Sequence, residues 1–202
     1  MELGADGIEL DVHATRDGVV VVHHDPDIGS RLQRGRAKQA IAELTASDLA
    51  RFPLADGIII PTLGDVLDAI GHKATVYVEI KGQDIEPLVL RCIRGSNVTC
   101  AVHSFDHRAV ATVKKIFPAL RTGVLETVRH ADPVAALEST GAVDLWQEVG
   151  TIDEDLVVRV HAHDARVVAW TSNHPRQWKA LRAIGVDAIC TDRIADLATF
   201  GW

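Results

Sequence analysis

Short runs of β-branched residues alternate with stretches of helical period along most of this chain. The runs lie at residues 7–12, 75–80, 99–104, 121–125, 143–149, 166–171 and 188–191. Between them the apolar period lengthens to that of a helix, as at 62–70, 106–116 and 175–184, with Asp106 and Asn173 placed to cap two of these helices. Strands that alternate with helices in this way form a parallel sheet. Val19-Val20-Val21-Val22 breaks the rhythm: the tight-turn pair Asp17-Gly18 just before it predicts a hairpin back onto the first strand. Residues 31–38 read as a polar loop, and 41–52 as a short helix outside the regular units.

The polar residues of the strands collect at their C-terminal ends: Glu9 and Asp11, Glu79 and Lys81, His103 and Ser104, Glu126, Gln147 and Glu148, Trp170 and Thr171, Thr191 and Asp192. A (β/α)8 barrel carries its active site at that end, so the expected fold is such a barrel with a site at one mouth. Seven regular parallel strands are counted, one short of closure. Residues 1–202 read as one domain, since a chain of this length with 47% hydrophobic residues can bury a full core.

Chemistry enters through the spacing Glu9-Leu10-Asp11. Residues two apart on a strand point to the same face, so both carboxylates can converge. Glu79 belongs with them because it ends the apolar run Ala74-Thr75-Val76-Tyr77-Val78, where an unpaired carboxylate would be costly to bury. Three carboxylates suit a hard divalent cation, Mg²⁺ or Ca²⁺. A formal charge of −7 with scattered Lys and Arg excludes a broad nucleic-acid surface. Cys92, Cys100 and Cys190 form no C-x-x-C pair and fit a reducing, cytoplasmic setting. No apolar run is long enough to span a bilayer, and the N-terminus lacks the layout of a signal peptide.

The order of Glu9-Leu10-Asp11-Val12, Asp17-Gly18, His24-Asp25, Pro61-Thr62-Leu63, Glu79-Ile80-Lys81, Ser104-Phe105, Trp170-Thr171, Gly185-Val186-Asp187 and Thr191-Asp192 resembles the glycerophosphodiester phosphodiesterase family over nearly the whole chain. The resemblance implies a barrel of the phospholipase-C-like phosphodiesterase type. It also implies metal-dependent hydrolysis of a glycerophosphodiester to glycerol 3-phosphate and an alcohol. Glu9, Asp11 and Glu79 would hold the metal, and Lys81 would bind the phosphate and serve catalysis. His24 would be the acid or base, with His23 turned to the other face. Trp170 would pack on the glycerol moiety and Ser104 would line the substrate pocket. Family members open with a strand bearing His-Arg-Gly, whereas this chain starts at Met1-Glu2-Leu3-Gly4, inside the expected first helix. Without that strand, weak turnover is expected, or a metal- and phosphate-binding protein that needs a partner strand. The edges left beside the missing strand, at Glu9 and near Thr191-Asp192, invite pairing with another chain, and a homo-oligomer would cover them.

Overall fold

A computed structural model describes residues 3–28, 38–52 and 57–202; most of the polar loop expected at 31–38 lies outside them. The strands are β1 (Gly7–Ala14), β2 (Val20–Val22), β3 (Asp27–Ile28), β4 (Gln39–Ala40), β5 (Thr75–Ile80), β6 (Cys100–Ser104), β7 (Arg121–Glu126), β8 (Asp144–Glu148), β9 (Arg166–Trp170) and β10 (Ala188–Ile189). The helices are α1 (Ala46–Leu49), α2 (Leu63–Ile70), α3 (Glu86–Gly95), α4 (His107–Ile116), α5 (Ala135–Thr140), α6 (Glu154–His161), α7 (Pro175–Ala183) and α8 (Ile194–Phe200). The main sheet runs β10-β9-β8-β7-β6-β5-β1-β2, and β3 and β4 form a separate ribbon. All neighbours in the main sheet are parallel except β1 and β2, which form the expected hairpin. Gly18, at φ +80° in the hairpin turn, adopts the left-handed backbone that glycine takes without penalty.

The central parallel strands β5 to β9 are buried on both faces over most of their length. One side of β1, β5 and β6 sends Leu10, Val12, Val76, Val78, Ile80, Cys100 and Val102 into a core shared with α2, α3 and α4. Val124, Leu145, Val167 and Ala169 do the same on the other half of the sheet against α5, α6 and α7. Each Val, Leu or Ile among them contributes about 1.5–3 kcal/mol when fully buried. The remaining face is the barrel interior, where Tyr77, Leu125, Trp146, Val168, Trp170 and Cys190 meet. Two glycines on that face make the aromatic packing possible. A Cβ at Gly7 would sit 2.6 Å from Tyr77 Cε2, and one at Gly123 would sit 2.7 Å from Trp146 Cδ1.

The sheet is curled but not closed. β2 covers β1 only at Val12–Ala14, and between the lower part of β1 and β10 lies a cavity of about 490 Å³ lined by Gly7, Glu9, Tyr77, Trp146, Ile189 and Trp202 among others. The expected edge near Glu9 is therefore an edge over only part of β1.

Two local expectations differ from what forms. In place of one helix over 41–52, a 3₁₀ turn at Ile41–Glu43 is followed by α1, because Leu44 is extended and Thr45 starts a new helix with a reciprocal capping box to Asp48. Asn173 does not cap α7. His174 holds that position ahead of Pro175, and the Asn173 side chain instead accepts from Thr191 Oγ1 and the Asp192 amide.

Candidate active site at the barrel mouth

Register decides which side chains meet. Asp11 on β1 lies level with Glu79 on β5, and Glu79 lies level with His103 on β6. Paired positions of adjacent strands share a face. Glu9 lies one pleat below Asp11 on the same side. Three carboxylates and one imidazole thus converge inside the barrel, and one atom each from Glu9, Glu79 and His103 lies within 4.8 Å of the others, a group that could hold a metal ion.

Lys81 Nζ supplies the compensating charge, 3.2 Å from Asp11 Oδ1 and 3.7 Å from Glu79 Oε1. It is one cation among three acids, and the balance shows in Glu79. Burial pushes the Glu79 carboxyl up to about 8, against the pull of Lys81 and with the help of Asp11 and Glu9. Glu9 Oε1 and Glu79 Oε1 are buried with no hydrogen-bond partner among the described residues. Unpartnered buried carboxylate oxygens are costly, and a bound cation would satisfy both. These residues fit a divalent ion.

The other expected site residues fall into distinct places. Trp170 faces the interior and meets Phe105 edge to face at 5.5 Å, with its Nε1 buried and unpartnered. Ser104 is not brought into the group. It follows His103, so it points to the helix side, where its hydroxyl donates to the Ile80 carbonyl at 2.6 Å and accepts from the Asp106 amide. It ties β6 to the end of β5 and is not a pocket donor.

His24 also lies apart from the expected alternation. β2 ends at Val22, and the His23 amide donates to the Asp11 carbonyl. Extending the hairpin register sets His23, not His24, opposite Asp11. The His23 Nδ1 lies 2.7 Å from the Asp25 carbonyl. His24 is 68% exposed at its side chain, with Nδ1 2.8 Å from Asp25 Oδ1, and its own carbonyl lies 3.4 Å from Nε2 of His13, a buried residue on the inner face of β1. Glu126 and Gln147 point to the helix side. Glu126 lies 2.8 Å from His130 Nε2 and 3.6 Å from His107 Nε2, while Gln147 donates to the Val128 carbonyl.

His103 is the residue whose weight the sequence understated. Alternation says that either His103 or Ser104 faces inward, but only the register with Glu79 says which.

Acids and a lysine thus gather at the C-terminal mouth of a parallel barrel sheet, the end at which barrel enzymes carry their active sites. The chain matches the Glycerophosphoryl diester phosphodiesterase family over residues 1–196 and belongs to it. It is 32% identical to a glycerophosphodiester phosphodiesterase of Caldanaerobacter subterraneus subsp. tengcongensis, over 95% of this chain and 84% of that protein. It is 33% identical to a probable glycerophosphodiester phosphodiesterase 2 of Mycobacterium tuberculosis, over 97% of this chain and 79% of that one. Among solved structures, an Oleispira antarctica phosphodiesterase in complex with the product sn-glycerol-3-phosphate superposes with a TM-score of 0.87 at 19% identity, covering 98% of this chain and 86% of that one. A glycerophosphodiester phosphodiesterase from Thermotoga maritima superposes at 0.81 and 22% identity, covering 98% and 86%. At those identities the likeness establishes the fold, a barrel of the same type. Among the described residues no helix is long and apolar enough to cross a membrane.

Proposed function

We propose that this chain hydrolyses glycerophosphodiesters to glycerol 3-phosphate and an alcohol, using a divalent cation held by Glu9, Asp11 and Glu79. The observation that carries this reading is the gathering of Glu9, Asp11 and Glu79 on one face, two of them paired with Lys81, with two buried carboxylate oxygens lacking a hydrogen-bond partner among the described residues. The cation would neutralise phosphoryl oxygens and polarise phosphorus. Lys81 adds a point charge on the phosphate from the same side. Trp170 offers an apolar face to the glycerol carbons and a buried Nε1–H to one of its oxygens. His24, its ring oriented by Asp25, carries the proton to the departing alkoxide. Three free cysteines fit a cytoplasmic location.

The seam between β1 and β10 favours a second reading, in which metal and phosphate bind but efficient turnover needs a further strand paired at that seam. Release of glycerol 3-phosphate from several glycerophosphodiesters, with Mg²⁺ or Ca²⁺ and with EDTA, tests the proposal. Metal-dependent release supports it. Release that EDTA does not slow contradicts it, and metal binding without release selects the second reading.

A further inference from the structure

The donors implied by the family resemblance are all oxygen, yet the trio whose ligand atoms the structure gathers within 4.8 Å includes a nitrogen. We propose that His103 Nε2 is a direct ligand of the cation held by Glu9 and Glu79, and that this nitrogen shifts the site's preference from Ca²⁺ and Mg²⁺ toward Mn²⁺ and similar transition ions. The proposal rests on the metal reading above and adds to it the identity of one donor and the class of cation.

Three observations carry it. The first is a distance: His103 Nε2 lies 3.5 Å from Glu9 Oε1. That is long for an N–H···O bond, whose usual separation is about 2.9 Å. It is close to the spacing of two ligands on one ion, since donors about 2.1 Å from a metal at octahedral or tetrahedral angles stand roughly 3.0–3.4 Å apart. The second is the lack of hydrogen bonds to the groups involved. His103 is 1% exposed, its Nδ1 has no hydrogen-bond partner among the described residues, and neither do Glu9 Oε1 and Glu79 Oε1. Buried polar atoms in a native protein are normally satisfied.

The third is how the ring is held. His103 stacks on Trp146 with centroids 4.2 Å apart and planes within 4°. Trp146 in turn lies against Gly123, where a Cβ would come within 2.7 Å of it. Elsewhere a ligating histidine is oriented by an outer hydrogen bond. Here the stack does that orienting, and it leaves Nε2 aimed at the carboxylates. Imidazole nitrogen suits first-row transition ions, whereas Mg²⁺ and Ca²⁺ favour oxygen alone.

Pulsed EPR of the Mn²⁺-loaded protein tests the donor directly, because a coordinated imidazole imposes a nitrogen coupling on the Mn²⁺ electron spin. The expected result is a ¹⁴N coupling that changes to the ¹⁵N pattern in protein labelled with ¹⁵N-histidine. It should vanish in His103→Asn, while Mn²⁺ still binds about 10–100-fold more weakly and Ca²⁺ affinity changes little. His103→Gln, closer in length, serves if the Asn variant does not fold, and the label experiment needs no variant. Bound Mn²⁺ with no nitrogen coupling, or a coupling that survives both substitutions, overturns the proposal while leaving the carboxylate site standing. Failure of the wild-type chain to bind Mn²⁺, Mg²⁺ or Ca²⁺ at all overturns the metal reading itself.

Discussion

The two ends of the barrel treat buried carboxylates in opposite ways. At the floor, Asp144 opens β8 between Arg121 and Arg166, which open β7 and β9. Arg121 donates to both Asp144 oxygens at 2.6 Å, and Arg166 donates to the same two oxygens at 2.9 and 3.3 Å. One acid there meets two guanidinium groups. At the mouth Asp11 and Glu79 share one ammonium group, Glu9 stands beside them near His103, and two of these carboxylate oxygens have no hydrogen-bond partner among the described residues. Bidentate pairing in a fixed fork makes a closed structural clamp. A cluster of carboxyl groups short of hydrogen-bond partners makes a place for a cation. The difference separates a part of the sheet that holds its shape from a part that takes a ligand.

The largest expected effect is on turnover. His24→Ala should lower phosphodiesterase rate by roughly a hundredfold to ten-thousandfold, the usual range for a general acid or base, while His23→Ala changes it little. Because the hairpin register sets His23 opposite Asp11, the pair is an informative comparison. A large loss in His23→Ala alone would move the proton-carrying role to His23.

At the floor the effect should be on stability alone. Asp144→Ala leaves two guanidinium groups facing each other without their acid, a loss of about 2–4 kcal/mol once their partial exposure is allowed for. Denaturant unfolding would show it, and metal affinity measured on the folded variant should match the wild type. A floor substitution that abolished metal binding would erase the distinction between the two ends.

A smaller effect follows from Glu79, whose carboxyl is pushed from an ordinary 4.5 up to about 8 chiefly by burial. Between those pH values the unfolded chain has released a proton that the folded chain keeps. Stability of the metal-free protein therefore falls as pH rises across that window, and this contribution is fully present only below it. A bound cation favours the ionised carboxylate and should flatten the slope. Urea unfolding at several pH values with EDTA, then with Mg²⁺, would check the sign. Smallest of all, Ser104→Ala should cost about 1 kcal/mol of stability through the lost bond to Ile80 and leave KM unchanged.

Much of this was legible in the chain itself. Alternating strand and helix runs, the Asp17-Gly18 turn and the acids at strand ends define the barrel, the hairpin and the mouth, because each depends on local spacing. What escaped depends on pairing between distant segments. The inward turn of His103 follows from its register with Glu79, and the position of His24 follows from β2 ending at Val22, the last of the valines, one residue before His23. Arg121, Asp144 and Arg166 lie at strand starts, away from the polar strand ends that mark the mouth. The break at Leu44 did have a local sign in the capping pair Thr45 and Asp48.

The central claim, that the acids of the mouth hold one divalent cation, is tested most directly by calorimetric titration of the wild-type chain and of Glu79→Gln with Mg²⁺, Ca²⁺ and Mn²⁺. One bound ion per wild-type chain is expected, with affinity lost or cut at least tenfold in the variant. Unchanged binding of all three ions by Glu79→Gln would show that the cation sits elsewhere.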